Sequence, residues 1–111
     1  MKDRLKPTRY YSNKQEKYVA NKVDGYQTVN SGATRFKKGD ISCPDILIEC
    51  KTSVTEKNSF SVKKDILDKL KQEAFAMGKD NCVLVFNFGP DTKNYYILDE
   101  NYFLELYKKC R

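Results

Sequence analysis

Hydrophobic positions along the 111-residue chain change period several times, and each change marks an element. Residues 62–77 place Val62, Ile66, Leu67, Leu70, Ala74 and Met77 three or four apart, the stripe of an amphipathic helix. Ser61 suits its start and Gly78 its end. The run ILIECK at 46–51, branched, apolar and enclosed by turn residues, predicts a strand. NCVLVFNF at 81–88 predicts a buried strand, and NYYILD at 94–99 another after Gly89-Pro90-Asp91. YQTV at 26–29 is a shorter strand. A helical period over 13–25 carries Tyr18, Val19 and Val23, with Asn13 as cap and Gly25 as stop. Residues 100–109 form a last helix with Phe103, Leu104, Leu106 and Tyr107 as its apolar positions.

Between these elements lie a basic aromatic arm at 1–12, a basic loop at 30–40 ending in GDIS, and a polar loop at 52–60. With GDIS taken as a strand, the order is α-β-β-β-α-β-β-α: a single domain over 13–111 behind the arm. Strands and helices mix without strict alternation, so the expected class is α/β (α+β), a mixed sheet flanked by helices.

Composition narrows the chemistry. The chain has no histidine, which excludes Ser-His and Cys-His nucleophile systems. Cys43, Cys50, Cys82 and Cys110 form no CxxC pair, so a structural zinc site is not expected, and these cysteines read as small packing residues. Acid-base work falls to carboxylates, lysine, tyrosine or an ion's water. No apolar run approaches the roughly 18 residues of a membrane span, and MKDRLKPTRYY lacks the apolar core of a signal peptide. A cytoplasmic protein without membrane contact is expected. The net charge of +6 favours a polyanionic partner such as nucleic acid.

The stretch GDISCPDILIECK, residues 39–51, offers two aspartates as partners for Glu49. Along one strand, Asp45 shares the Glu49 face but stands roughly 13 Å away, too far to share one ion. Folded as a hairpin centred between Pro44 and Asp45, the stretch makes opposite residue numbers total 89, so Asp40 faces Glu49. Opposite side chains point to the same face with Cβ atoms about 4.5–5.5 Å apart. Two carboxylates so placed repel unless a cation lies between them. Lys51 projects beside Glu49, two residues on.

Asp40 with Glu49-Cys50-Lys51 resembles the PD-(D/E)XK nuclease signature. The likeness covers residues 13–88: a helix carrying Glu16, a basic loop with Ser31 and Gly32, then the motif, an amphipathic helix and a buried strand. This layout is similar to archaeal-type Holliday junction resolvases and their small phage-encoded relatives, with a restriction-endonuclease-like sheet. The resemblance implies Mg²⁺ or Mn²⁺ held by Asp40, Glu49 and the Cys50 backbone carbonyl. It implies that Lys51 orients or helps to deprotonate the attacking water, that Glu16 adds a carboxylate, and that Ser31 contacts the scissile phosphate region. It implies DNA, branched into a four-way junction, as substrate, with a homodimer making two opposed incisions during recombination in a bacterial or archaeal cell. The alternatives are another structure-specific or duplex DNA nuclease, a catalytically inactive DNA-binding module, and an RNA-binding protein stacking bases on tyrosines.

Arg35, Lys37 and Lys38 precede the motif and Lys57, Lys63 and Lys64 follow it, as expected of backbone phosphate contacts. Lys6, Arg9, Tyr10 and Tyr11 make the arm basic and aromatic, while Gln72 and Glu73 read as helix surface.

Overall fold

The computed structural model describes residues 8–28 and 40–111. Ser31, Arg35, Lys37, Lys38 and Lys6 lie outside the described residues. Eight elements follow one another: α1 (Thr8–Val23), β1 (Tyr26–Gln27), β2 (Ile41–Ser42), β3 (Ile46–Lys51), α2 (Lys64–Ala76), β4 (Asn81–Phe86), β5 (Tyr95–Ile97) and α3 (Glu100–Lys109). The strands form one mixed sheet in the order β1-β2-β3-β4-β5. β1, β2 and β3 are successively antiparallel, β3 and β4 are parallel, and β5 returns antiparallel to β4. The connection from β3 to β4 carries α2, as a parallel pair requires.

Alternation along β3 divides the core between two faces. Ile48 and Cys50 join Val83, Val85 and Ile41 beneath Val19 and Ala20 of α1, with Tyr102 of α3 on the same side. Leu47 and Leu84 point the other way, onto Leu70 and Ala74 of α2. The sheet is therefore covered by α1 and α3 on one face and by α2 on the other. Beyond α2, the ring of Phe86 stacks on Phe60 at 4.3 Å and on Tyr95 at 5.6 Å.

The α1 helix starts at Thr8, five residues before the Asn13 cap expected from its period. Residues 8–12 of the predicted arm are thus helical, with the Tyr10 and Tyr11 rings edge to face at 5.1 Å. Of the apolar positions read from that period, Val19 is buried whereas Tyr18 is exposed. The α2 helix begins after Lys63, not Ser61, and Lys63 makes no side-chain cap. Gly78 ends it as expected, in the left-handed region at φ 74°. Cys43 and Cys50 are buried, Cys82 is half-buried and Cys110 is exposed; all four are free thiols. Among the described residues, no helix is long and apolar enough to cross a membrane.

Gly25 fixes how closely α1 approaches the sheet, since a Cβ there would meet Ile41 Cγ2 at 2.8 Å and Cys43 Sγ at 2.9 Å. Gly25→Ala should cost about 1–3 kcal/mol through overpacking. Leu84→Ala, at a fully buried site, should cost about 2–5 kcal/mol. Urea denaturation measures both, and an unchanged midpoint for Leu84→Ala would contradict the placement of the core.

Candidate functional site

β3 is the central strand, and what happens at its second half builds the site. Its ladder with β2 pairs Ile41 with Ile48 and Ser42 with Leu47, so partner numbers total 89, the register expected from a turn at Pro44-Asp45. Cys43 N donates to Ile46 O at 2.9 Å and closes that turn. The Asp45 carbonyl accepts from the amides of Asp80 and Asn81 at 3.2 and 3.1 Å, which ties the turn to the start of β4. Asp45 is exposed there, at the opposite end of β3 from Lys51.

Beyond Ile41 the ladder becomes irregular. The Asp40 carbonyl accepts from Thr28 N at 2.9 Å toward β1, while the Asp40 amide donates to Ile48 O at 2.8 Å toward β3. Asp40 and Ile41 therefore both oppose Ile48, the arrangement of a β-bulge, which re-aims a side chain. The simple cross-strand pairing of Asp40 with Glu49 is modified accordingly. Asp40 Oδ2 instead accepts the Cys50 amide at 2.7 Å, in a buried hydrogen bond. An extended residue points its N–H and C=O the same way, so the Cys50 carbonyl also leaves β3 toward Asp40.

Glu49 and Lys51 share the opposite face from the Cys50 side chain, and Lys51 Nζ lies 3.3 Å from Glu49 Oε2. Asp40 and Glu49 are 9% and 7% exposed, unusual burial for carboxylates. Glu16, on α1, is half-buried and makes a long 3.5 Å contact with Gln27 Nε2. Burial pushes the Cys50 thiol well above its ordinary range, and the nearby charges of Asp40, Glu16 and Glu49, in that order, raise it further. Cys50 is thus a neutral packing residue with three carboxylates around it.

On the α2 side, a hollow of about 130 Å³ is lined by Glu49, Lys51, Ile66, Lys69, Leu70 and Glu73. Glu73, read from the sequence as helix surface, faces the site. Its signal was available: Glu73 stands three residues after Leu70 and seven after Ile66, within the stripe that turns toward the sheet. Lys57 and Lys63 are exposed on the loop and at the start of α2 and do not line this hollow. Lys64 is paired with Asp68 at 2.9 Å.

Among the described residues, no three of His, Cys, Asp and Glu gather so as to hold a metal ion alone. Mg²⁺ commonly takes only one or two protein carboxylates, completing its octahedron with waters and substrate phosphates. Asp40, Glu49 and the Cys50 carbonyl are oxygen donors of the hard type that such an ion takes.

Comparison with protein-family models, curated proteins and solved structures gave no match.

Removing the Asp40 carboxylate leaves a buried amide without its acceptor. Asp40→Ala should cost about 1–3 kcal/mol, whereas Asp40→Asn keeps an acceptor oxygen and should cost less. Hydrogen exchange at the Cys50 amide should accelerate in Asp40→Ala and change little in Asp40→Asn. Equal exchange in both variants and the parent would mean that this bond does not hold the amide.

Proposed function

We propose that the chain is a metal-dependent DNA endonuclease that hydrolyses phosphodiester bonds at the Asp40, Glu49 and Lys51 site, with branched DNA as its substrate. The observation that carries this reading is two buried carboxylates near one end of β3, Asp40 holding the Cys50 amide and Glu49 paired with Lys51. Burying like charges is costly, and a protein that only binds DNA has no use for them. The likeness of the motif to PD-(D/E)XK nucleases and the mixed sheet with flanking helices support the same reading. So does the net charge of +6, which suits a phosphate backbone.

Bound by these carboxylates, Mg²⁺ or Mn²⁺ would supply Lewis acidity toward the phosphodiester. Asp40 and Glu49 carry the negative charge that recruits a hard cation. Lys51, 37% exposed at its side chain and held against Glu49, offsets phosphate charge and orients the attacking water. Glu16 approaches from α1 as a further carboxylate, and Glu73 and Lys69 border the hollow on the α2 side. Hydrolysis adds water across one P–O bond of the strand. Two opposed cuts in a four-way junction call for two copies, and α3 presents Phe103 and Tyr107, their rings stacked at 6.1 Å, on an exposed face suited to such a pairing.

Purified protein incubated with four-way, flap, linear duplex and single-stranded DNA should make paired symmetric nicks in the junction with Mg²⁺ or Mn²⁺, and none with EDTA. Cutting of flaps or duplex alone would move the substrate to another structure; tight binding with no cutting of any substrate would overturn the enzyme reading. Asp40→Asn and Glu49→Gln should each lose about 100-fold or more in cleavage rate while still binding DNA, and Asp45→Asn should cut normally. Without DNA, either cation at ten times its dissociation constant should stabilise the parent by about 1.4 kcal/mol. Asp40→Asn should lose that gain in a thermal melt.

A further inference from the structure

A cavity of about 630 Å³ opens on the α1 side of the sheet, between that helix and the segment joining β4 to β5. This volume suits a ligand of nucleotide size. Its walls include the tyrosines Tyr11, Tyr18 and Tyr96, and its rim carries Lys14, Lys22 and Lys93. Lys14 is held by Asp91 at 2.7 Å and Lys22 stands over the Tyr18 ring at 5.4 Å. Neither the carboxylates Asp40 and Glu49 nor Lys51 line it.

The lining also holds a connected set of amides whose orientations are fixed by one another. Thr52 Oγ1 donates to Asn87 Oδ1 at 2.8 Å, and the Gly89 amide donates to the same oxygen at 3.3 Å. Asn87 Nδ2 and Gln15 Nε2 both donate to Asn94 Oδ1 at 3.2 Å. Gln15 Nε2 also donates to the Lys51 carbonyl at 2.8 Å. Turning the Gln15 amide over would set its oxygen against that carbonyl, so Oε1 must be the remaining atom. Gln15 is only 6% exposed, and its Oε1 is a buried acceptor with no donor. Asn94, whose Oδ1 accepts twice, donates from Nδ2 to none of the described residues. The network thus leaves one acceptor and one donor on adjacent side chains, beside tyrosine rings and under lysines.

We infer that this cavity binds one nucleotide of an unpaired DNA strand. A base offers a flat face to the tyrosines and a donor–acceptor edge to Gln15 and Asn94, the pairing that amide side chains make with bases. The lysines face the phosphate. Gln15 bonds the carbonyl of Lys51 and Thr52 follows it, so the cavity adjoins the proposed cleavage site. That adjacency rests on the proposed function; the ligand's chemistry does not. A strand passing Lys51 would place a neighbouring, unstacked nucleotide in the cavity, which selects DNA with unpaired positions over continuous duplex.

The test uses the full chain in EDTA, where cleavage plays no part. Side-chain amide signals of Gln15, Asn87 and Asn94 are followed by ¹⁵N NMR while a single-stranded tetranucleotide, a free mononucleotide or a blunt duplex is added. The expected result is a saturable shift of these signals with the tetranucleotide, weaker with the mononucleotide and absent with the duplex. Asn94→Asp keeps the oxygen that Gln15 and Asn87 use and loses the donor, and Tyr18→Leu removes an exposed ring; each should weaken tetranucleotide binding about tenfold. Unchanged thermal midpoints show that these variants fold. No shift with any nucleotide, a shift with the mononucleotide alone, or equal binding by both variants and the parent overturns the inference. Shifts that persist in a protein unable to cut DNA strike the proposed reaction and leave the cavity's ligand standing.

Discussion

The hydrogen bond from the Cys50 amide to Asp40 Oδ2 joins the sheet to the site. β3 is paired over its full length with β4 and only within its first half with β2. A buried strand must find a partner for each backbone group. At Cys50 the β2 ladder has already ended, and no β2 backbone group of the described residues serves that amide. A carboxylate supplies the acceptor instead. The bulge that turns the Asp40 amide to Ile48 puts the side chain where it can do so. One ionised carboxylate offers about four lone-pair directions, and the Cys50 amide takes one of them. The same group closes the sheet and carries the charge.

The division of β3 between two faces explains why chemistry can sit on a core strand. Leu47 and Leu84 pack on Leu70 and Ala74, which secures the first half of the strand against α2. Toward Lys51 that helix brings Lys69 and Glu73 as well as Ile66, and the apolar contact opens into a hollow. On the other face Cys50 remains in the core with Val83, Val85 and Val19. A small, neutral side chain suits that position, because burial and the nearby charges of Asp40, Glu16 and Glu49 all disfavour a thiolate there.

The register, the division of faces and the stop at Gly78 were legible because each follows from short-range rules. A turn centre sets a hairpin's partner sum, strand alternation sets its faces, and a left-handed glycine ends a helix. Ile41 opposite Ile48 needed nothing else. The bulge at Asp40 was not legible, since it arises from competition between β1 and β3 for one residue's backbone. The start of α1 was hidden for a different reason: TRYY has no apolar period, and its Tyr11 lines the α1 cavity instead of extending a stripe. Gln15 in a lysine-rich helix resembles any surface glutamine. Its burial comes from Lys51 and Asn94, 36 and 79 residues away, a separation at which pattern carries no information.

Those two distant bonds also settle how α1 presents its next residue. Successive helix positions are turned by about 100°, so anchoring one side chain fixes the direction of its neighbour. Gln15 is tied to the Lys51 carbonyl, and Val19 and Ala20, four and five residues on, are buried against the sheet. With those positions held, Glu16 has a narrow range of directions, and it falls near Cys50 and Gln27. The neighbour in the chain thus contributes to the aim of the carboxylate. A helix made largely of lysine, tyrosine and amide residues can therefore deliver an acid to the end of β3, and the buried glutamine beside that acid does the positioning that an apolar stripe does elsewhere.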